Sequence, residues 1–342
     1  MSEATHMRRE IAEIPDAAAR LLDASEGAIA AAGRRLGELR PRFLTTVARG
    51  SSDHAASFLK YAIEISTGLP VASIGPSIAS IYGTTLKLSD SACLSISQSG
   101  KSPDIVALAR AVREGGAVSI AITNTADSPL AGISDHTLDI SAGAERSVAA
   151  TKTFVNSALA GLLLLAHWTG DRQLLAALRS LPALFETAIG CDWMDLGGAL
   201  DTDASLFILG RGPSHAIANE AALKFKETCA MHAEAYSTAE VMHGPLALVG
   251  KDFPVLVLAA RDASEQSVAE AADGLAARGA AVFVTSLLAG RARTLPYAAT
   301  GHPLTDPLPL IVSFYSFVEA FARRRGFDPD RPPNLRKVTE TI

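Results

Sequence analysis

The chain is poor in the features that mark several protein classes. Its 342 residues include only three cysteines, Cys93, Cys191 and Cys229. They are too widely spaced to form a metal-ligand pattern and read as buried, reduced thiols of a reducing compartment, so a cytoplasmic location is expected. Positive charge is not in excess: 31 Lys and Arg against 36 Asp and Glu give a formal net charge of -5. With a pI near 5.9, the chain has no electrostatic footprint for nucleic acid or an anionic membrane, and neither partner is expected. No apolar run reaches the ~18 residues of a membrane span. The longest, Ala158-Leu159-Ala160-Gly161-Leu162-Leu163-Leu164-Leu165-Ala166, reads as a core helix. The opening stretch, with Glu3, Arg8, Arg9 and Glu10, lacks the apolar core of a signal peptide. Glycine is missing where nucleotides would need it. Gly210-x-Gly212 is followed by His215 at the place of a third glycine, and Gly100-Lys101-Ser102 has no upstream glycine at P-loop spacing. No cofactor is therefore expected. Nor is a metal, because His232, Glu234, Glu240 and His243 form no ligand pair of established spacing.

What is present is an alternation. With 48% hydrophobic and 20% charged residues, the chain has ample material for buried cores and length for about two domains. Apolar β-rich runs alternate with Ala- and Leu-rich helical ones, the pattern of parallel sheets covered on both faces. Strands are expected over Phe43 to Ala48, Val71 to Ile74, Ala92 to Ile96, Val118 to Ile122 and Thr137 to Ile140. In the second half they are expected over Leu206 to Leu209, Val255 to Ala259 and Ala281 to Thr285, with a weaker candidate between. The fold class is α/β, two tandem doubly wound domains with parallel sheets flanked by helices, plus a C-terminal tail. The expected boundaries are a helical segment over 1–24, a first domain over 25–170, a helical connector over 171–195, a second domain over 196–325 and a tail over 326–342. A weak internal repeat supports the division. Thr46-Val47-Ala48-Arg49-Gly50-Ser51-Ser52 precedes a helix containing Leu59-Lys60-Tyr61, and Ile208-Leu209-Gly210-Arg211-Gly212-Pro213-Ser214 precedes one containing Leu223-Lys224-Phe225.

Two segments carry chemistry. Ser97-Gln98-Ser99-Gly100-Lys101-Ser102 joins the apolar run Cys93-Leu94-Ser95-Ile96 to a helix-like segment from Asp104. Backbone N–H groups, hydroxyls and a helix N-terminus then converge where a phosphate can sit. The alternative is an ordinary strand-to-helix loop whose serines cap the helix. A sugar phosphate suits this cradle better than a triphosphate. The second segment runs from Glu220 through Lys224 and Glu227 to His243-Gly244-Pro245. Glu220, Lys224 and Glu227 share one helix face, so a carboxylate can sit beside an ammonium. A solvated ion-pair face is the alternative; the imidazole of the nearby His-Gly-Pro turn adds a further acid and base candidate.

In order along the chain, Ser97-Gln98-Ser99-Gly100, Leu223-Lys224-Phe225-Lys226-Glu227, His232-Ala233-Glu234-Ala235-Tyr236, His243-Gly244-Pro245-Leu246-Ala247-Leu248 and Asn334-Leu335-Arg336-Lys337 resemble the isomerase half of glutamine-dependent glucosamine-6-phosphate synthase, a tandem SIS (sugar isomerase) family. Met7-Arg8-Arg9-Glu10-Ile11-Ala12-Glu13-Ile14-Pro15 is similar to the segment after that enzyme's linker. The resemblance implies that Ser51, Ser52, Ser97, Gln98, Ser99 and Ser102 hold phosphate and sugar. It implies that Val148 and Ala150 contact the sugar, although Ala150 replaces a serine of the family's Val-Ala-Ser-Thr-Lys segment. Glu227 matches the carboxylate that moves a proton between C1 and C2, with Lys224 beside it. His243 matches the ring-opening histidine that reaches into a neighbouring subunit, which implies a homodimer. Lys337 matches the tail lysine that forms a Schiff base with a ketose. A counterpart of the glutamine-hydrolysing domain is missing from the chain, which opens Met1-Ser2-Glu3. The expected activity is therefore isomerising deamination of glucosamine 6-phosphate to fructose 6-phosphate and ammonia. The alternatives are a phosphosugar aldose-ketose isomerase, a deaminase or deglycase of another amino sugar phosphate, and a non-catalytic sugar-phosphate sensor.

Overall fold

A computed structural model describes residues 4–200, 205–335 and 337. The chain divides into two compact units, each discontinuous in sequence. The first comprises 16–145 and 152–179, the second the remainder from 4–15, 146–151 and 180–337.

The chain begins with α1 (His6–Ala12), which belongs to the second unit, and α2 (Ile14–Ala24), which leads into the first. The first unit continues with α3 (Glu26–Leu39), β1 (Phe43–Val47), α4 (Ser51–Thr67), β2 (Val71–Ser73), α5 (Ser77–Ser80) and β3 (Ser91–Ile96). It then runs through α6 (Pro103–Glu114), β4 (Val118–Thr123), α7 (Pro129–Ile133), β5 (His136–Asp139) and α8 (Lys152–Thr169). The strands form one parallel sheet in the order β2-β1-β3-β4-β5. Parallel strands are joined only by crossovers, so helices cover both faces and the strands become continuous apolar runs. Every residue of β3 is buried. α8 holds the long apolar stretch, and its residues 152–166 are all buried.

α9 (Arg172–Ile189) passes into the second unit, followed by α10 (Met194–Ala199), β6 (Leu206–Gly210), α11 (Pro213–Cys229) and β7 (Ala233–Ser237). Two short 3-10 turns, Glu240–Met242 and Pro245–Leu248, precede β8 (Pro254–Val257), α12 (Glu265–Ala276), β9 (Ala281–Val284), β10 (Arg293–Thr294) and α13 (Pro307–Arg324). This sheet is also parallel, ordered β10-β9-β8-β6-β7. Counted from its own first strand, it repeats the order of the first sheet. β7 supplies the weak strand expected between Leu209 and Val255. It lies at a sheet edge and four of its five residues are only partly buried, so it lacks the apolar run of a central strand.

The repeat is real at the turn. Gly50, before α4, has φ 56° and ψ -134°; Gly212, before α11, has φ 54° and ψ -131°. Both helices are 17 residues long. The two Leu-Lys-aromatic triplets are not equivalent, however. Lys60 lies ten residues after Gly50 and Lys224 twelve after Gly212, about 200° apart around the helix. Lys60 is partly exposed, donating to Val71 O at 2.8 Å and pairing with Glu64 at 3.3 Å, whereas Lys224 is fully buried.

Candidate active site

The order 2-1-3-4-5 has a topological switch between its first and third strands, and ligands of such sheets bind beyond the carboxyl ends of those strands. In the first unit the two loops at that switch are the expected ones, Ala48–Gly50 after β1 and Ser97–Ser102 after β3. The second loop is pinned in shape. Ser97 N donates to Ile122 O at 3.1 Å, Ser97 Oγ accepts from Gly100 N at 3.2 Å, and Asn124 N donates to Gln98 O at 3.1 Å. Gly100 has φ 62°, and a Cβ there would lie 2.1 Å from Ser128 Oγ, so this turn requires glycine. Ser102 is the N-cap of α6 without a side-chain cap bond, and Gly50, the N-cap of α4, offers none. Ser51, Ser52, Gln98, Ser99 and Ser102 are all partly exposed, while Ser97 is buried. An ion pair between Arg49 and the buried Asp104 ties the first loop to the start of α6. Burial raises the Asp53 carboxyl in the first turn of α4, with His54 working against it.

In the second unit the chemistry sits on α11. Glu220 and Lys224 are fully buried, and the Glu227 side chain keeps 17% exposure. Lys224 Nζ lies 3.4 Å from Glu220 Oε1 and donates to Glu227 Oε2. Tyr315 of α13 donates its O–H to Glu220 Oε1 at 3.0 Å. A buried ammonium is tolerable only when paired, and here two carboxylates flank it. The one with solvent access is Glu227. The helix is fixed against α13 by Phe225, whose ring meets Phe314, Phe317 and Phe321 edge-on at 5.3, 6.2 and 6.4 Å. Burying Phe225 alone contributes roughly 1.5–3 kcal/mol. This arrangement can accept a proton at Glu227 beside a fixed cation, as proton abstraction next to a carbonyl or imine requires.

The other expected residues lie on separate segments. His243 ends the first 3-10 turn, exposed, beside Met242 at 48% and Leu248 at 66% exposure. Val148 and Ala150 are partly exposed on the segment 146–151, alternating with the buried Ser147, Ala149 and Thr151. Lys337 is partly buried, and its neighbour Arg336 lies outside the described residues. Direct contacts thus join Glu220, Lys224 and Glu227, and the serine loops stand on the first unit. Tyr315 carried no signal in the sequence, since a tyrosine inside the apolar run of α13 reads as core. Burial pushes the Cys93 and Cys229 thiols up to about 11. Among the described residues, no three His, Cys, Asp or Glu side chains cluster as metal ligands, and no helix is long and apolar enough to cross a membrane.

Known proteins share this architecture. A glutamine–fructose-6-phosphate aminotransferase (isomerizing) of Halobacterium salinarum is 34% identical over 311 residues, which covers 86% of this chain and 51% of that protein. The chain spans about half the length of the curated relatives it matches. The crystal structure of a candidate phosphosugar isomerase from Silicibacter pomeroyi DSS-3 is 57% identical, with a TM-score of 0.93, covering 96% of this chain and 100% of that one. The C-terminal domain of glucosamine-fructose-6-phosphate aminotransferase from Francisella tularensis is 26% identical with a TM-score of 0.84, covering 97% of this chain and 99% of that one. A family model of the SIS domain matches residues 42–167 and 200–288, so the two parallel sheets are paired domains of one kind and the chain belongs to the SIS domain family.

Proposed function

We propose that the protein is an isomerising deaminase of an amino sugar phosphate, converting glucosamine 6-phosphate and water to fructose 6-phosphate and ammonia. The observation that carries this reading is the Glu220-Lys224-Glu227 array, in which one carboxylate with solvent access is held against a buried ammonium. The serine loops at the switch of the first sheet bind the phosphate ester through N–H groups and hydroxyls. His243 opens the pyranose by moving a proton from the anomeric hydroxyl to the ring oxygen, giving the aldehyde. Glu227 takes the proton from C2 and returns it to C1. With one proton of the C2 amine passing to the C1 oxygen, the C1 carbonyl becomes a hydroxymethyl group and the C2 amine an imine. Water adds to C2 and ammonia leaves, or the amine of Lys337 exchanges with it first and water then releases the ketose. At dilute ammonia the reaction runs towards release. The exposed position of His243 between exposed Met242 and Leu248 supports a homodimer in which this histidine serves a neighbouring copy.

The likeness to a candidate phosphosugar isomerase of the same extent favours a second reading, aldose-ketose isomerisation without ammonia. One assay separates the two: purified protein with glucosamine 6-phosphate, galactosamine 6-phosphate, a fructosamine 6-phosphate adduct and plain hexose phosphates, following ammonia and ketose. Ammonia with fructose 6-phosphate, absent in Glu227→Gln, is expected. Interconversion of hexose phosphates without ammonia would replace the deaminase with the isomerase, and ammonia release equal in Glu227→Gln would discard the assigned base.

A further inference from the structure

The segment 146–151 has no regular secondary structure, so its backbone N–H groups need partners from elsewhere. Those of Arg146 and Ser147 are taken by one carboxylate, that of Glu10 on α1. Glu10 Oε1 accepts from Arg146 N, and Ser147 N donates to both oxygens at 3.3 and 3.2 Å. Glu10 is only 4% exposed. A carboxylate accepting backbone N–H groups in such a place makes hydrogen bonds about twice as strong as neutral ones. It sets the register of the segment, and with it the alternation that turns Val148 and Ala150 outward while Ser147, Ala149 and Thr151 are buried.

The other end of the same short helix is held by the root of the tail. Asp330 accepts from His6 N at 2.6 Å and from Met7 N at 2.9 Å. Thr5, the N-cap of α1, donates its hydroxyl to the fully buried Glu319 of α13 at 2.8 Å. Met7, Glu10 and Ile11 form the buried face of α1. Their spacing of three and four places them on one side of the helix. Asp330 therefore grips a helix whose next turn carries Glu10, and seven residues at 1.5 Å each leave no slack between the two contacts.

We propose that α1 is a shared mount for the 146–151 segment and for the root of the C-terminal tail, with Glu10 and Asp330 as positioning residues. The catalytic meaning of the two mounted segments, Val148 and Ala150 on one and Lys337 on the other, rests on the function proposed above. The mount itself does not. A displacement of either segment reaches the other through α1, and by linkage the coupling is reciprocal.

Amide hydrogen exchange on the full chain tests it, comparing Glu10→Ala and Asp330→Ala with the parent. Glu10→Ala is expected to speed exchange at Arg146 and Ser147 about tenfold and exchange across 328–335 about two- to fivefold; Asp330→Ala is expected to speed both regions with the ranking reversed. Exchange that rises only beside each substitution overturns the proposal. Should an alanine variant fail to fold, Glu10→Gln and Asp330→Asn, which keep one acceptor oxygen, are expected to show the same two-region pattern at smaller size, and a one-region pattern there is equally fatal. With glucosamine 6-phosphate, Glu10→Ala should act mainly on KM and Asp330→Ala mainly on kcat, with Glu10→Gln recovering most of the loss. A parent protein that turns over no sugar phosphate sinks the functional reading, while the exchange pattern still decides the mount.

Discussion

The two units share a strand order and a cap glycine of the same conformation, yet their edges hold different things. After β3 the loop Ser97–Ser102 presents hydroxyls that cap nothing at α6. After β8, the equivalent strand of the second sheet, the chain reads Leu258-Ala259-Ala260-Arg261 and is closed from within. Arg261 N donates to Asp306 Oδ2 at 2.9 Å, its guanidinium pairs with the same carboxylate at 2.8 Å, and Thr300 N donates to Asp306 Oδ1 at 3.0 Å. Asp306 is fully buried. Serine hydroxyls line this edge in the first copy, and in the second the protein's own carboxylate fills it. The helices differ in the complementary sense. Eight, twelve and fifteen residues after the cap glycine, α11 carries Glu220, Lys224 and Glu227, where α4 carries Phe58, Ala62 and Ile65. Under the proposed function, binding chemistry falls to the first copy and proton chemistry to the second.

The largest effect expected from this division is at those helix positions. Glu227→Gln should lower kcat by about 10²–10⁴-fold, the range for loss of a general base, with KM changed little. Ile65→Gln, the matched position of α4 and already 62% exposed, should leave kcat within about twofold, as surface substitutions usually do. Steady-state kinetics of the two variants side by side checks it; equal losses would abolish the division of labour.

Next comes the sealed edge. Asp306→Ala leaves the Arg261 guanidinium without its carboxylate and should destabilise the second unit by about 3–5 kcal/mol. Asp104→Ala breaks the matching tie of the first unit, but Arg49 is half-exposed and water replaces the lost partner, so about 1–3 kcal/mol is expected. Urea midpoints rank the two, and a larger loss in Asp104→Ala would contradict the contrast between a filled and an open edge. Of the same size as the Asp104→Ala loss, and equal in both copies, should be the effect of the cap glycines. Gly50→Ala and Gly212→Ala each force an L residue into a glycine-only conformation at about 1–3 kcal/mol. A Cβ meets nothing within 4 Å at either position, so a difference beyond experimental error would mean that the two turns are not equivalent.

Much of this was legible in the sequence, for a definite reason. Strands of a parallel sheet buried on both faces are unbroken apolar runs, so Cys93-Leu94-Ser95-Ile96 and Leu206 to Leu209 announce themselves. Arg49-Gly50 and Arg211-Gly212 mark the repeated turn. What failed to show were features set by distance in three dimensions. The two-residue β10 is too short to carry a pattern, and β7 is an edge strand with a mixed one. The Lys60 and Lys224 triplets match as letters but point around their helices differently. Among the candidate residues, the Ser97–Ser102 loop and the shared face of Glu220, Lys224 and Glu227 were visible as local chemistry. Tyr315, Asp306 and the grip of Glu10 on Ser147, 137 positions apart, depend on tertiary contacts that no local window contains.

The smallest expected effect is one of sign, and it sets the two copies against each other through a single pair of aspartates. In the first, burial raises Asp53 above the ordinary 3.8. Folding thus disfavours its charged form, and the fold loses stability as pH rises through the raised value. In the second, the N–H groups of Ala292, Gly290 and Arg291 hold Asp273 below 3.8, with contacts of 2.9, 2.7 and 2.7 Å. Its contribution is present above 3.8 and is lost as pH falls through the lowered value. At pH 7, Asp53→Asn should therefore raise Tm or leave it unchanged, and Asp273→Asn should lower it. Towards about pH 3 the Asp53→Asn gain should vanish, because the parent carboxyl is then neutral in both states, while the Asp273→Asn deficit should shrink. Thermal melts of both variants across that range give the slopes directly. Slopes of one sign would mean that the two aspartates answer to net charge and not to their different surroundings, burial at the start of α4 and backbone donors at the end of α12.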